Sequence, residues 1–292
     1  MSLALSILEL SPVGAGVAPS QAVRDSIEVA RAADRLGLER FWVAEHHNMA
    51  SIATSAPEVL IAAAAAATTR IRVGAGGIMI PNHTPLRVVE IFRTLEALYP
   101  GRIDLGLGRA PGTDPLTFSA LRRSDNPEVN DLLVELLAFE RGEFPARHPF
   151  HKIVPMPSDV RLRSIWMLGS TLQGASIAAQ LGLPYAFAGH FAMRQAKDAM
   201  ALYRKTFTPS PNQPKPYAIL AVTTVCGSDD ADALRQAAPI RLAIVNTRTG
   251  KRQPIVSIDE ALVRTADFSA EEQAIADDFM LGAVIGGPQH CG

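Results

Sequence analysis

Apolar residues recur along this chain in two rhythms, and the rhythms alternate. Short runs rich in β-branched and aromatic residues, at 3–10, 41–44, 71–75, 103–107, 165–168, 185–188 and 217–226, read as strands. Helical spacing fills the gaps between them. From Ser20, a good N-cap, apolar side chains at Val23, Ile27, Ala30, Ala33 and Leu36 follow a helical period until Gly37 stops it. Ser55-Ala-Pro-Glu58 reads as a capping box that opens an alanine-rich helix over 58–67. Thr84-Pro85 starts a helix with Val89, Phe92 and Leu95 on one face, ended by Pro100-Gly101. Asn126-Pro127 opens another that runs to about Arg141, and helices are expected over 172–181, closed by Gly182, and 193–207. Residues 246–270 are polar and aperiodic and are expected to form an irregular insertion. The stretch 275–285 reads as a helix with Phe279, Leu281 and Val284 available for burial.

Seven β-units, six of them separated by clear helices, imply parallel strands joined by right-handed crossovers. That number favours an α/β fold of the TIM (β/α)8-barrel type, as one domain over residues 1–292, above a doubly wound sheet. A chain of 292 residues is long enough to bury one large core.

Composition narrows the classes of function. Lys and Arg number 28 against 29 Asp and Glu, a formal charge of -1, and no basic run exists. A nucleic-acid partner, which demands a clustered cationic footprint, is therefore not expected. The longest strongly apolar run, near 59–67, is far short of a membrane span, and the N-terminus lacks the pattern of a secretory signal. Two cysteines, Cys226 and Cys291, make neither a disulfide framework nor a CxxC pair, which suits a reducing cytoplasm.

In a barrel the chemistry sits where strands end and βα loops begin. Glu45, His46, His47, Gly76, Gly77, Arg109, Gly169, Ser170, Thr171 and His190 all fall at such ends. In "FWVAEHHNM", residues 41–49, neighbouring side chains of an extended segment point to opposite sides, and HExxH spacing is absent. No metal site is expected. An imidazole that moves a proton is the stronger reading, with a merely hydrogen-bonded loop histidine left open. "VGAGGIMIP", residues 73–81, fails as a dinucleotide loop because Met79 stands where a third glycine belongs. Its glycines either let a flat ligand approach the backbone or mark a bulge. "GLGRAPG", residues 106–112, presents Arg109 just after a strand, a planar fork of donors suited to phosphate. "WMLGSTLQGA", residues 166–175, sets Gly169, Ser170 and Thr171 at a helix start, where backbone N–H groups favour an anion.

Four stretches together carry a family likeness: "RFWVAEHHN", "VGAGGIMIPNHTPLRVVE", "LYPGRIDLGLGRAPGTD" and "WMLGSTLQGASIAAQLGLPYAFAGHF". In this order the chain resembles the bacterial luciferase-like monooxygenases, nearest to the FMN-linked, single-component type. The resemblance implies a TIM barrel and a flavin-dependent oxidoreductase, a monooxygenase that uses reduced FMN and molecular oxygen on a small organic substrate. A separate flavin reductase would supply the cofactor. Alternatives on the same barrel are a deazaflavin-dependent hydride-transfer enzyme and a non-catalytic flavin-binding protein. The resemblance makes Arg109 a ligand of the flavin phosphate, with Gly169, Ser170 and Thr171 supplying backbone donors and Leu168 and His190 beside them. It lays Ala75, Gly76 and Gly77 against the flavin ring, where the family often has a non-prolyl cis peptide. His46 takes the place of the acid/base histidine, and Glu45 and His47 are counted with it. A homodimer is expected, with the alanine run 62–67 as a helix surface that permits close approach. "GGPQHCG", residues 286–292, resembles the place where family members begin a further helix before their last strand. The expectation is therefore a barrel lacking its C-terminal strand and helix in this chain.

Overall fold

Strand and helix alternate as the periodicity predicts, and within each compact unit the described strands pair in parallel. The computed structural model describes residues 3–121 and 128–291. They divide into two compact units, one comprising Met1–Ser11, Val23–Asn48 and Thr54–Leu168, the other Pro12–Ala22, Met49–Ala53 and Gly169–Gly292.

Along the chain the first elements are β1 (Ser6–Glu9), α1 (Pro19–Arg35), β2 (Arg40–Val43), α2 (Pro57–Ala67), β3 (Arg72–Ala75) and β4 (Ile78–Met79). A 3-10 turn over Ile80–Asn82 leads to α3 (Pro85–Leu98), β5 (Ile103–Gly108), α4 (Pro115–Leu121), α5 (Val129–Arg141) and β6 (Ile165–Gly169). In the first unit the sheet order is β1-β2-β3-β5-β6, with the short β4 pairing beside β5. A doubly wound sheet reverses its strand order at a switch point. Here each strand is added next to the one before it, which is the wiring of a (β/α) barrel.

The second unit holds α6 (Leu172–Gln180), β7 (Tyr185–Ala188), α7 (Gly189–Thr206), β8 (Ala218–Ala221) and β9 (Thr224–Cys226). It continues with α8 (Asp230–Arg248), α9 (Ile258–Ala266), α10 (Ala270–Phe279), β10 (Val284–Gly286) and α11 (Pro288–Cys291). β7 pairs with β8 in the barrel wiring, while β9 and β10 form a separate two-stranded sheet. The fold is a parallel β/α barrel of seven strands in sequence, and no eighth barrel strand stands among the described residues.

Several local expectations need correction. The predicted strand 217–226 breaks into β8 and β9. The predicted helix 275–285 ends at Phe279, and Val284–Gly286 is extended because it pairs with Thr224–Cys226. Such a distant partner leaves no local periodicity. Residues 246–270 are not irregular. They hold the end of α8 and all of α9, which Ser257 caps by accepting from the Glu260 N–H at 3.3 Å. The box expected at Ser55 does not form, since Ala56 is the N-cap and Pro57 takes the first helical position. Likewise α1 starts at Pro19, one residue before Ser20. The opening expected at Asn126-Pro127 lies outside the described residues; the helix itself runs from Val129.

Two buried charge clusters hold the first unit. At the starts of β2, β3 and β5 the wholly buried Asp104 carboxylate faces Arg40 Nε at 3.2 Å and accepts from Arg72 Nε at 3.0 Å and Trp42 Nε1 at 3.0 Å. Trp42 meets Trp166 edge-on at 5.2 Å, and the Arg40 guanidinium lies 5.2 Å from the Trp166 ring centre. Behind the sheet, Arg93 of α3 donates to Glu140 of α5 at 2.7 Å and to the Pro155 carbonyl at 2.7 Å. Buried charges are tolerable only when paired and hydrogen-bonded in this way. No described helix is long and apolar enough to cross a membrane.

Candidate active site

The sequence places an acid and two histidines immediately after β2, and the fold gives the three residues different surroundings. Glu45 is wholly buried. Its carboxylate accepts from the Met79 N–H at 2.7 Å and from Asn82 Nδ2 at 2.8 Å. His47 Nε2 lies 2.9 Å from Oε1, and His83 Nε2 lies 2.9 Å from each oxygen. Burial by itself raises the Glu45 pKa, but the hydrogen bond and charge of His83, then Asn82 and His47, hold it below the usual carboxylate value. An ionised carboxylate can only accept, so both imidazoles present Nε2–H to it. Glu45 thereby fastens together the end of β2, the edge strand β4 and the turn that follows.

The loop beyond is fixed as well. The His47 carbonyl accepts from Thr113 Oγ1 at 2.9 Å, and Asn48, with φ of 55°, donates to Asp114 Oδ2 at 2.9 Å and Thr117 Oγ1 at 3.0 Å. His46 differs from its neighbours. Its N–H donates to the Thr54 carbonyl at 2.8 Å, while its Nδ1 is enclosed and has no hydrogen-bond partner among the described residues. Burial holds its pKa below the ordinary imidazole value, with Glu45 opposing the shift and His47 adding to it. At neutral pH this ring is uncharged.

Beside β2, the chain after β3 is stripped of side chains. The Gly76-Gly77 peptide is cis, and the Gly76 N–H donates to Val43 O at 2.8 Å. A Cβ on Gly76 would come within 2.6 Å of Leu8 Cδ1, and one on Gly77 within 2.7 Å of the Gly106 carbonyl. A Cβ on Gly106 would meet the Ala75 carbonyl at 2.1 Å and Leu168 Cδ1 at 2.8 Å. The backbones of these strand ends thus approach more closely than any larger residue permits. Arg109 follows β5 directly. Its Nε is buried with no hydrogen-bond partner among the described residues, so a guanidinium with donor capacity in reserve stands at the end of this strand.

Taken by itself, the second unit places Thr171 as the N-cap of α6, its Oγ1 accepting from the Gly174 N–H at 3.2 Å and its carbonyl from Tyr185 Oη at 3.2 Å. Gly169 and Ser170 precede it, half-buried, at the end of β6. His190 lies in the first turn of α7, its ring 4.2 Å from that of Phe191. Among the described residues, no group of three or more His, Cys, Asp or Glu is placed to hold a metal ion.

A family model, the luciferase-like monooxygenases, matches residues 4–292. The chain belongs to that family. It is an oxidoreductase of the luciferase-like type. An Escherichia coli (strain K12) luciferase-like monooxygenase is 42% identical over 266 residues, covering 89% of this chain and 78% of that protein. The crystal structure of apo-MsnO8 superposes with a TM-score of 0.87 at 38% identity, over 98% of this chain and 85% of that one. The oxygenating constituent of a Pseudomonas putida 3,6-diketocamphane monooxygenase, a type II Baeyer–Villiger enzyme solved with FMN, shares the fold. Its TM-score is 0.67 at 19% identity, covering 99% of this chain and 86% of that one.

Within this family fold, the first unit gathers Glu45, His46, His47, Ala75, Gly76, Gly77 and Arg109 at the C-terminal ends of β2, β3 and β5. Two members of the polar cluster, Asn82 and His83, escaped the sequence reading. The signal was present in "IPNHTP", residues 80–85, where an amide and an imidazole sit between two prolines in an otherwise apolar stretch.

Proposed function

We propose that this luciferase-like oxidoreductase is a flavin-dependent monooxygenase that uses reduced FMN and molecular oxygen on a small organic substrate. The observation that carries the reading is the pairing of two buried polar atoms that find no partner among the described residues, His46 Nδ1 and Arg109 Nε, with the side-chain-free segment Gly76-Gly77 at neighbouring strand ends. A protein that buries polar atoms normally pairs them, so groups left over at a barrel's catalytic rim are consistent with service to a ligand. The donor set fits FMN: a guanidinium for a phosphate dianion, a backbone segment without side chains for a flat ring, and a neutral imidazole.

When bound, the reduced flavin supplies the electrons with which oxygen is activated. Arg109 binds the phosphate through charge-assisted hydrogen bonds. Ala75, Gly76 and Gly77 orient the ring by backbone contact. His46 accepts or returns a proton at Nδ1, which its lowered pKa keeps free near neutrality. We assign Glu45 and His47 to positioning, because the Glu45 oxygens are already shared among four donor groups. On the second unit, the N–H groups at the start of α6, from Gly169 to Thr171, are proposed as donors to an anion. Leu168 and His190 remain proposed flavin neighbours on the family resemblance. A separate reductase is proposed as the source of reduced FMN. A homodimer is proposed through α2, where Val59, Ala63 and Ala66 form an outward stripe at helical spacing.

The test is direct. The purified protein is titrated with reduced FMN and, in parallel, with a reduced deazaflavin, and binding is followed by absorbance and fluorescence. Saturable binding of FMN, with oxygen consumption on substrate addition, supports the reading. Binding of the deazaflavin alone would replace it with hydride transfer, and binding of neither would end it.

A further inference from the structure

The only two cysteines of the chain lie 65 positions apart in sequence, yet the second unit brings them together. Cys226 ends β9 in register with Gly286 of β10. Five residues later α11 folds back, with the Cys291 N–H donating to the Gly287 carbonyl at 3.1 Å. The Cys291 Sγ then lies 3.3 Å from the Gly286 carbonyl and 3.9 Å from the Val225 carbonyl. These two carbonyls flank Cys226, one across the strand pair and one along its own strand. The Cys291 sulfur is thereby held beside the stretch of backbone that carries Cys226. Cys226 is exposed and Cys291 half-buried, so an oxidant in solution reaches Cys226 first.

We infer that Cys226 and Cys291 form a redox-modifiable pair, in which a peroxide oxidises Cys226 and Cys291 closes an intramolecular disulfide. The Cys226 sulfur attacks one peroxide oxygen, the O–O bond breaks, and water leaves as Cys226 becomes a sulfenic acid. The Cys291 sulfur then attacks the Cys226 sulfur, the S–S bond forms, and the sulfenic oxygen leaves as a second water. One hydrogen peroxide is reduced while two thiols are oxidised. The bond would fasten α11 and β10 to β9 and convert a small two-stranded sheet into a covalently closed unit. Burial and the neighbouring Cys226 raise the Cys291 thiol pKa, which leaves the first attack on peroxide to the exposed Cys226. None of this depends on the proposed monooxygenase activity, because the oxidant is added from outside.

The full chain is treated with dilute hydrogen peroxide, alkylated in denaturant, and weighed intact. The expected product is a monomer lighter by two hydrogen atoms, with both thiols protected together and both restored by a dithiol reductant. In Cys291→Ser a sulfenic acid should be trapped at Cys226 by a dione probe, whereas Cys226→Ser should leave Cys291 unmodified over the same time. A product in which one thiol stays free, in which either is carried to sulfinic acid first, or in which two chains are cross-linked would overturn the pairing. Since the wild-type measurement stands alone, a variant that fails to fold does not rescue the idea.

Discussion

The same strands of the first unit carry a buried carboxylate at each end, and the two ends are built differently. At the starts of β2, β3 and β5, Asp104 is surrounded by Arg40, Arg72 and the Trp42 indole, partners whose charge state does not change at any ordinary pH. At their far ends Glu45 is surrounded by two imidazoles, an amide and a backbone N–H, so two of its three side-chain partners are histidines. Around Asp104 the geometry is that of a fastening. Around Glu45 the partners are imidazoles, and His46 and Arg109 follow β2 and β5 at the ends where a barrel places its chemistry. The difference teaches that burial and pairing alone do not mark a site; the kind of partner and the end of the strand do.

That contrast can be broken by substitution. His46→Ala should reduce turnover by roughly 10²–10⁴-fold with flavin affinity nearly unchanged, the usual contribution of a general acid/base group. His47→Ala should act more mildly; if stopped-flow assays reverse the order of the two, His47 is the proton carrier. Asp104→Ala should lower stability by about 3 kcal/mol in urea unfolding, because it strands the buried Arg40 guanidinium and the half-buried Arg72. A folded variant that loses flavin binding but no stability would move Asp104 to the functional side. Next in size, Arg109→Ala should weaken FMN binding by about 1.5–3 kcal/mol, with the unfolding midpoint unmoved. An unchanged dissociation constant would remove Arg109 from the phosphate.

The smallest effect expected is in pH dependence. His46 has a pKa lowered in the fold, so it stays neutral as pH falls past 6.5, and the acid limb of the kcat profile should lie below that value. Glu45 also has a depressed folded value. Its contribution to stability is complete above the ordinary carboxylate range and is lost as pH falls through the folded pKa. A kcat limb above pH 6.5, or one that survives in His46→Ala, would contradict the assignment.

Legibility from the sequence followed the range of the forces involved. The barrel wiring could be read because each strand and helix announces itself within ten or so residues, and the strand-end residues followed from that placement. Asn82 and His83 did not, because their partner Glu45 lies far back along the chain and no spacing rule links them. Between 246 and 270 the signal was local and was passed over. Ser257 and Ser269 each stand three residues before a glutamate, and both cap helices, Ser269 with a reciprocal capping box. The same pattern at Ser55 misled, because Pro57 fixes the start of the helix one residue later. β9 and β10 were hidden for the opposite reason, being three residues each and joined across some sixty positions.

The close approach of the strands has a consequence for how such an enzyme changes over time. A single methyl group at Gly74 would come within 2.3 Å of the Asp104 carbonyl, and at Gly106 within 2.1 Å of the Ala75 carbonyl. Neither obstacle is a side chain that can swing aside. Any lineage of this barrel that accepts even alanine there must shift a whole strand at the same step, so the floor of the site drifts slowly or not at all. New substrates must then be won in the loops above it, and a library aimed at altered specificity should leave these glycines alone.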